Sequence, residues 1–482
     1  HYSTGKGART VKVKSVLLVR VSSTVDKDVE HPQFFDPPYA LKCLQAGLDQ
    51  RQDIKVHLLD CWVQPKSLME LREYTSAIRP DLVVVSSSSF DIDVSDQYVV
   101  DLRTVTPAPL VIGIGQGFYH HRDRPKELTA NYDAILLGEP EQEFFQLFDR
   151  ICTGGSAPAD WRTHYRQLFD EGKRFMVEEP DRLAFPSYTR EELAAYQSIF
   201  PVQVPRRVVW GYLIATRGCP HGCLFCSEVM RVSTGKRLRS RSAASVADEM
   251  EHLAKQGVNI CSFQDDSFSA HRKFMLSLCE ELIARKSKMP WMARVRVDEL
   301  NYDVLALMKK AGCAMLGIGV ESGSERIIKD MHKQGADRPW LELCRQVFGW
   351  TRELGIGTNA YYVIGNPTET REEIEQTIQL ALELNSDSIQ VHFYTPYPGS
   401  AAWERFKDRL GDTDPKKLYH YARPMLSFAA VSPDELVKLR SRFYKRYLFR
   451  PGFALRHLWR YGSFYLHNPD IFWSLLGIRK IF

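Results

Sequence analysis

Short apolar runs, each followed by a stretch with helical spacing, dominate the first third of the chain. Val11–Val21 (VKVKSVLLVRV), Ile54–Asp60, Asp81–Ser86, Pro109–Ile114 and Ala134–Leu137 predict five strands. A helix is predicted from about Tyr39 to Gln50, after the turn Asp36-Pro37-Pro38. Another follows Gly138-Glu139-Pro140 and runs through Phe144 and Phe145. Apolar strands separated by helical segments predict a parallel α/β sheet with crossover helices. The ligand crevice of such a sheet lies at the carboxyl ends of its strands. Those ends carry Ser86, Ser87, Ser88 and Ser89, then Gly113, Gly115 and Gly117, then Gly138 and Glu139. Small residues and hydroxyls let a ligand reach the backbone there, although serines and glycines also simply end strands. The three glycines do not form a dinucleotide-binding fingerprint.

From Thr153 to Arg207 the pattern is less regular and rich in Pro, Arg and acidic residues, which reads as a linker. Val208–Ala215 (VVWGYLIA) is the next strand. Beyond about Phe406 the spacing becomes helical, and from Leu436 the chain is rich in Arg, Lys and aromatics. That tail reads as a lid or wall for a hydrophobic substrate, as a helix resting on a membrane surface, or as a helical subdomain packing its aromatics on the preceding domain.

Composition narrows the class. With 482 residues, 44% hydrophobic and 26% charged, the chain has room for two or three domains of ordinary globular kind. A net charge of +5 is small for this length and gives no support to a nucleic-acid partner. No run of about 18 to 20 apolar residues predicts a transmembrane helix, and the polar start His1–Arg9 lacks the core of a signal peptide. The ten cysteines are not spaced as a secreted disulfide framework, so a reducing cytoplasm is expected.

The strongest chemical signal comes directly after the Val208–Ala215 strand. Cys219, Cys223 and Cys226 stand at C-x3-C-x2-C on one short loop, TRGCPHGCLFCS. Three thiolates facing one point suit a [4Fe–4S] cluster and leave one iron open. S-adenosylmethionine can chelate that iron through its amino and carboxylate groups. A zinc site would need a fourth ligand, and His221 sits between the cysteines on a tight loop.

This loop and the segments after it resemble the radical S-adenosylmethionine superfamily, over roughly Val208 to Phe406. The resemblance implies a partial (β/α)6 barrel with its site at the strand carboxyl ends. Phe225 is similar to the family's aromatic near the adenine. Ile260–Phe268 (ICSFQDDSF) resembles the second strand and its acidic turn, and Asp265 and Asp266 in it match a position near the methionyl amino group, although Asp266 could equally cap the next helix. Arg294 or Arg296, in WMARVRV, would pair with the methionyl carboxylate, and alternation sends both to one face. Glu321 and Ser322, in LGIGVES, match a pair that holds the ribose. Tyr361–Pro367 and Ser388–Tyr394 resemble the fifth and sixth strands.

The α/β domain ahead of this barrel is similar to the cobalamin-binding branch. Domains are expected at residues 10–150 (Rossmann-like, cobalamin-binding), 151–206 (linker), 207–406 (barrel) and 407–482 (helical cap). In that branch the corrin stands between the two domains. Ser86, Ser87, Ser88, Gly113, Gly115, Gly138 and Glu139 fall where its tail and corrin edge would be held. The D-x-H-x-x-G motif that supplies a cobalt ligand in many cobalamin proteins is missing. Asp60-Cys61-Trp62 follows the second strand instead, with Trp62 read either as a cover for the lower face or as a core residue. A methylthiotransferase would need a second cluster, and Cys43, Cys61 and Cys152 do not show its spacing.

The resemblance implies C-methylation of an unactivated carbon through methylcobalamin, with the deoxyadenosyl radical from a second S-adenosylmethionine removing a hydrogen. The partners it implies are a small or hydrophobic substrate and an external electron donor such as flavodoxin or ferredoxin. A cyclase or ring-rearranging enzyme uses the same parts. A non-catalytic cobalamin or redox sensor is the alternative of another class, and the open iron speaks against it.

Overall fold

The structure, a computed structural model, describes residues 12–22, 36–120, 126–153, 161–196, 198, 200–202, 207–226, 235–333, 338–398, 400–411, 413, 418 and 423–469. The chain divides into two units, the first ending at Ser187 and the second beginning at Tyr188.

The first unit is built on a parallel sheet of β1 (Ser15–Arg20), β2 (Lys55–Asp60), β3 (Leu82–Ser86), β4 (Leu110–Ile114), β5 (Ala134–Gly138) and β6 (Arg174–Phe175). Their order is β2-β1-β3-β4-β5-β6, so the winding direction reverses beside β1. Alternation along each strand splits the core in two. Val16 and Leu18 face the helices Tyr39–Asp49 and Glu141–Thr153. Leu17 and Val19 face Leu68–Ile78 and Ile92–Leu102. Burial on both faces is why these strands read as unbroken apolar runs.

All five expected strands are present, and β6 is an addition. It lies inside the stretch read as a linker, as does the helix Trp161–Asp170, which also belongs to this first unit. Two residues give no readable period. The sheet recruits them through Gly138 and Glu139: the Glu139 amide donates to Phe175 O at 2.9 Å, and the Glu139 carboxylate accepts from Val177 N at 2.7 Å.

In the second unit, β7 (Trp210–Leu213) leads to a small antiparallel ribbon, β8 (Thr216–Arg217) with β9 (Arg239–Ser240). The main sheet continues through β10 (Ile260–Phe263), β11 (Trp291–Val295), β12 (Cys313–Glu321), β13 (Gly357–Ile364) and β14 (Ser388–Phe393). Every pair is parallel and follows chain order, β7-β10-β11-β12-β13-β14. This is the expected six-stranded partial barrel. Ser242, Asn301 and Thr370 cap the helices at Ala243–Lys255, Tyr302–Lys310 and Arg371–Leu384, each accepting a backbone N–H of the first turn.

The tail closes the barrel's exposed parts. The helix Pro433–Leu448 runs beside β13 and the edge strand β14. Tyr444 accepts the Val391 N–H at 3.0 Å, and the Arg440 guanidinium lies 4.2 Å above the Phe393 ring. The helix Pro451–His467 packs at the amino ends of the strands. Arg460 reaches Gly355 O at 3.3 Å, Arg456 reaches Asn385 Oδ1 at 2.8 Å, and Asn468 accepts Val208 N at 3.0 Å. These helices therefore pack their aromatics on the barrel and are not a lid over its carboxyl ends. Of the described tail, the segment at Phe428 reaches that end, accepting the Thr368 N–H at 3.0 Å and packing 5.8 Å from the Tyr394 ring.

Candidate active site

The cluster loop leaves the barrel under tight control. Asp265, buried at the end of β10, accepts from Ala215 N (2.9 Å), Thr216 N (2.8 Å) and Thr216 Oγ1 (2.7 Å). Those bonds fix where β7 hands the chain to the loop. Burial pushes the Asp265 carboxyl up to about 6 against these three hydrogen bonds. Gly218 then turns at φ 94°, where a side chain would collide with Arg237 O. The Cys219 amide donates to Gly235 O at 3.2 Å, and the Leu224 amide donates to Met331 O at 3.0 Å.

None of Cys219, Cys223 and Cys226 is in a disulfide; Cys223 is buried and the others half-buried. Burial raises the Cys219 thiol and pushes Cys226 up to about 12, and the Cys223 and Cys219 sulfurs add to the Cys226 shift. The three sulfurs thus share one neighbourhood. Asp266 acts on Cys219 and Cys226 from nearby. Among the described residues no three His, Cys, Asp or Glu side chains converge as the ligands of a single ion. A four-iron cluster asks for something wider, because each cysteine binds its own iron. Three thiols in one pocket, with no cation ligand of another kind among them, fit that group. His221 is turned from the sulfurs: its Nε2 lies 2.6 Å from Glu299 Oε1, and Ser269 Oγ donates to the other oxygen of that carboxylate.

Arg296 stands against the loop. Its Nη1 is 3.3 Å from Cys223 Sγ, its Nε and Nη2 meet the Asp298 carboxylate at 3.0 and 2.8 Å, and Nη2 reaches Lys333 O at 3.2 Å. Trp340 lies 5.1 Å beneath its guanidinium. Arg294, half-buried in β11, is two residues away along the same strand direction. Asp266 does not cap the following helix. A 3-10 turn, Phe268–Ala270, intervenes, and the helix Arg272–Ala284 begins without a side-chain cap.

Glu321 ends β12 with φ 69°, in the left-handed region, after a register shift against β13 at Gly319/Glu321. Its carboxylate forms a buried ion pair with Lys333. The Lys333 ammonium is also 5.6 Å from the Phe225 ring and 5.4 Å from Trp340. Gly319 makes room for the pair, since a side chain there would collide with both Glu321 Oε1 and Lys333 Nζ. Ser322 is fully buried and points elsewhere: its hydroxyl lies 3.3 Å from Thr377 Oγ1 and accepts the Ser324 amide at 3.2 Å. Glu321 and Phe225 thus come together, joined by Lys333, while Ser322 serves the fold.

Of the residues proposed for a corrin tail in the first unit, Ser86, Ser87 and Ser88 form one loop at the end of β3. Ser87 donates to Ser88 O (3.1 Å) and accepts from Ser95 Oγ (2.9 Å), and Ser88 donates to the buried Asp91 carboxylate. Both hydroxyls are therefore engaged inside the loop. Ser86 is half-buried at the strand end. Gly115, at φ 103°, packs on this loop, where a side chain would come 2.5 Å from Ser87 O. Gly113 faces the opposite way and makes room for Phe118 and Tyr132. Gly138 and Glu139 are taken up by β6.

Trp62 is a member of this carboxyl-end network. Its Nε1 lies 3.2 Å from Val21 O and 3.1 Å from Asp91 Oδ2, and the Arg20 guanidinium sits 4.7 Å above its ring while pairing with Asp60. Cys61 is a buried thiol pushed up to about 12 by burial. Sequence reasoning missed Lys333, Trp340, Asp298 and Glu299, none of which belongs to a local pattern.

Residues 213–381 match the Radical SAM superfamily. An uncharacterized methyltransferase of Pyrococcus horikoshii is 25% identical over 92% of this chain and 94% of its own length. The anaerobic magnesium-protoporphyrin IX monomethyl ester cyclase of Rubrivivax gelatinosus is 26% identical over 86% of this chain and 74% of that protein. Among solved structures, the radical S-adenosylmethionine methyltransferase TsrM from Kitasatospora setae, with cobalamin and a [4Fe–4S] cluster bound, superimposes with a TM-score of 0.62 at 20% identity, covering 83% of this chain and 79% of that one. Over residues 213–381 the chain is thus similar to the radical S-adenosylmethionine superfamily, and its overall fold is similar to that of TsrM.

Proposed function

We propose that the protein is a cobalamin-dependent radical S-adenosylmethionine methyltransferase acting on a carbon centre. The observation that carries this is the cluster loop, with three cysteines outside any disulfide in one neighbourhood beside Arg296 and Asp266. The resemblance along nearly the whole chain to a methyltransferase, and the TsrM-like fold, support the methyl-transfer branch.

Cys219, Cys223 and Cys226 would hold the cluster. Asp266, Arg294 or Arg296, Phe225 and Glu321 would hold S-adenosylmethionine. The loop at Ser86, Ser87, Ser88 and Gly115 would meet cobalamin by its backbone, since the hydroxyls of Ser87 and Ser88 are engaged. When bound, these cofactors supply radical formation and a transferable methyl group. The chain's own part is positional. Asp265 fixes the loop's exit, Arg296 neutralises charge beside Cys223, and the Glu321–Lys333 pair holds Phe225 in place.

An external one-electron donor such as flavodoxin or ferredoxin would reduce the cluster, which suits a cytoplasmic setting. Among the described residues no helix is long and apolar enough to cross a membrane.

The test is anaerobic reconstitution followed by turnover with candidate substrates. About four irons and one cobalt per chain are expected, with S-adenosylhomocysteine formed and product heavier by one methylene. Deoxyadenosine without that mass gain would favour ring formation, the reading that the cyclase relative supports. Iron without cobalt would overturn the cobalamin assignment.

A further inference from the structure

The helix Pro451–His467 is apolar on two opposite faces. Phe453, Tyr461 and Phe464 are buried against the barrel. On the other side Leu455, Leu458, Trp459 and Leu466 are 70%, 65%, 87% and 82% exposed. At the helical rotation of about 100° per residue these four fall within about a third of the circumference. Phe449, 82% exposed, precedes the same helix. The exposed positions of this helix include no Asp, Glu, Lys or Arg. A helix apolar all round is a buried helix, so the outward face of this one calls for an apolar partner.

We propose that this face docks on an anionic phospholipid surface, with the helix lying in the plane of the interface. Charge selects that occupant. From Pro433 to His467 the chain carries eight Lys and Arg against two Asp and Glu; Arg442 and Arg446 pair with Glu375 and Arg460 with Asp387, while Lys438 and Lys445 are exposed. A leucine and tryptophan face on a helix that follows a stretch with exposed lysines is the pattern of interfacial helices. A second copy of the chain is disfavoured, because a twofold contact would bring two net positive tails together. The helix packs at the amino ends of the strands, through Arg460 and Asn468, so docking leaves the cluster end of the barrel open.

The experiment is co-sedimentation of the full chain with vesicles of phosphatidylcholine alone and with phosphatidylglycerol added, alongside light scattering of the free protein. The expected result is binding that needs the anionic lipid, weakens with salt, and blue-shifts tryptophan emission. The double variant Leu455→Glu/Trp459→Glu should weaken binding by about a hundredfold or more, from the loss of two large apolar side chains. Lys445→Glu should weaken it less and reduce its salt dependence. Iron loading should be unchanged in both, because the altered side chains are exposed. Absence of binding to anionic vesicles would overturn the proposal. So would binding indifferent to the double variant, or a stable dimer that the double variant dissociates and that ignores vesicles.

Discussion

Replacing Lys333 by Met would leave the Glu321 carboxylate charged, buried and without its cation. The two side chains are only 8% and 6% exposed. Removing one partner of such a pair costs about 3–5 kcal/mol, most of it the stranded charge. Loss of the cation beside Phe225 and Trp340 adds about 0.5–1 kcal/mol. The second unit should therefore lose roughly 3.5–6 kcal/mol in Lys333→Met. If the stranded charge is the cause, Glu321→Gln in the same chain should return most of that loss. The double variant should then be well above the sum of the singles, with a coupling of about 2–4 kcal/mol.

The two units need not unfold together, so a single global transition would mislead. Urea unfolding followed by hydrogen exchange at β12 peptides isolates the second unit. A coupling below about 0.5 kcal/mol would mean the pair behaves like a solvated surface bridge, and the account of this corner of the site would fall. The same variants carry a functional readout. S-adenosylmethionine affinity of the reconstituted protein should drop in Lys333→Met, because Phe225 loses the neighbour that holds it.

Two further changes test other anchors. The raised Asp265 carboxyl means that the folded chain keeps a proton which the unfolded chain releases above about pH 4. That contribution to stability is complete below the ordinary value and is lost as pH rises through about 6. In Asp265→Asn this slope should vanish from pH-dependent urea curves, and an unchanged slope would show that another group titrates there. Gly115→Ala should destabilise the first unit by about 1–3 kcal/mol, from the positive φ and the contact with Ser87 O. It should leave iron content unaltered, and equal loss of both cofactors would refute the assignment of this loop to the first unit alone.

How much of the molecule is legible in its sequence depends on range. The three cysteines lie within eight residues, so their spacing states the site directly. Most strands of both sheets are readable because they gather apolar residues, in runs or in alternation, between turns. β6 is not, because Arg174-Phe175 is a strand only by virtue of Glu139 reaching Val177. Lys333 is not, because it enters from the turn after the helix Glu325–Asp330 and depends on the register shift at Gly319/Glu321.

Part of the remainder is in the sequence and needs a stricter use of alternation. Adjacent residues at a strand end point to opposite sides. Glu321 and Ser322 could not both face one ribose, and the structure sends Ser322 to Thr377. The serine run obeys a related constraint. A buried hydroxyl without a partner costs more than one that is bonded, so Ser87 and Ser88 find acceptors at Ser88 O and Asp91 within their own loop. What such a loop keeps for a ligand is its backbone shape, and Gly115 preserves that shape by letting the next strand's turn lie against Ser87 O. In this chain the glycine, more than the serines beside it, is the residue whose replacement should tell whether the crevice holds a cofactor.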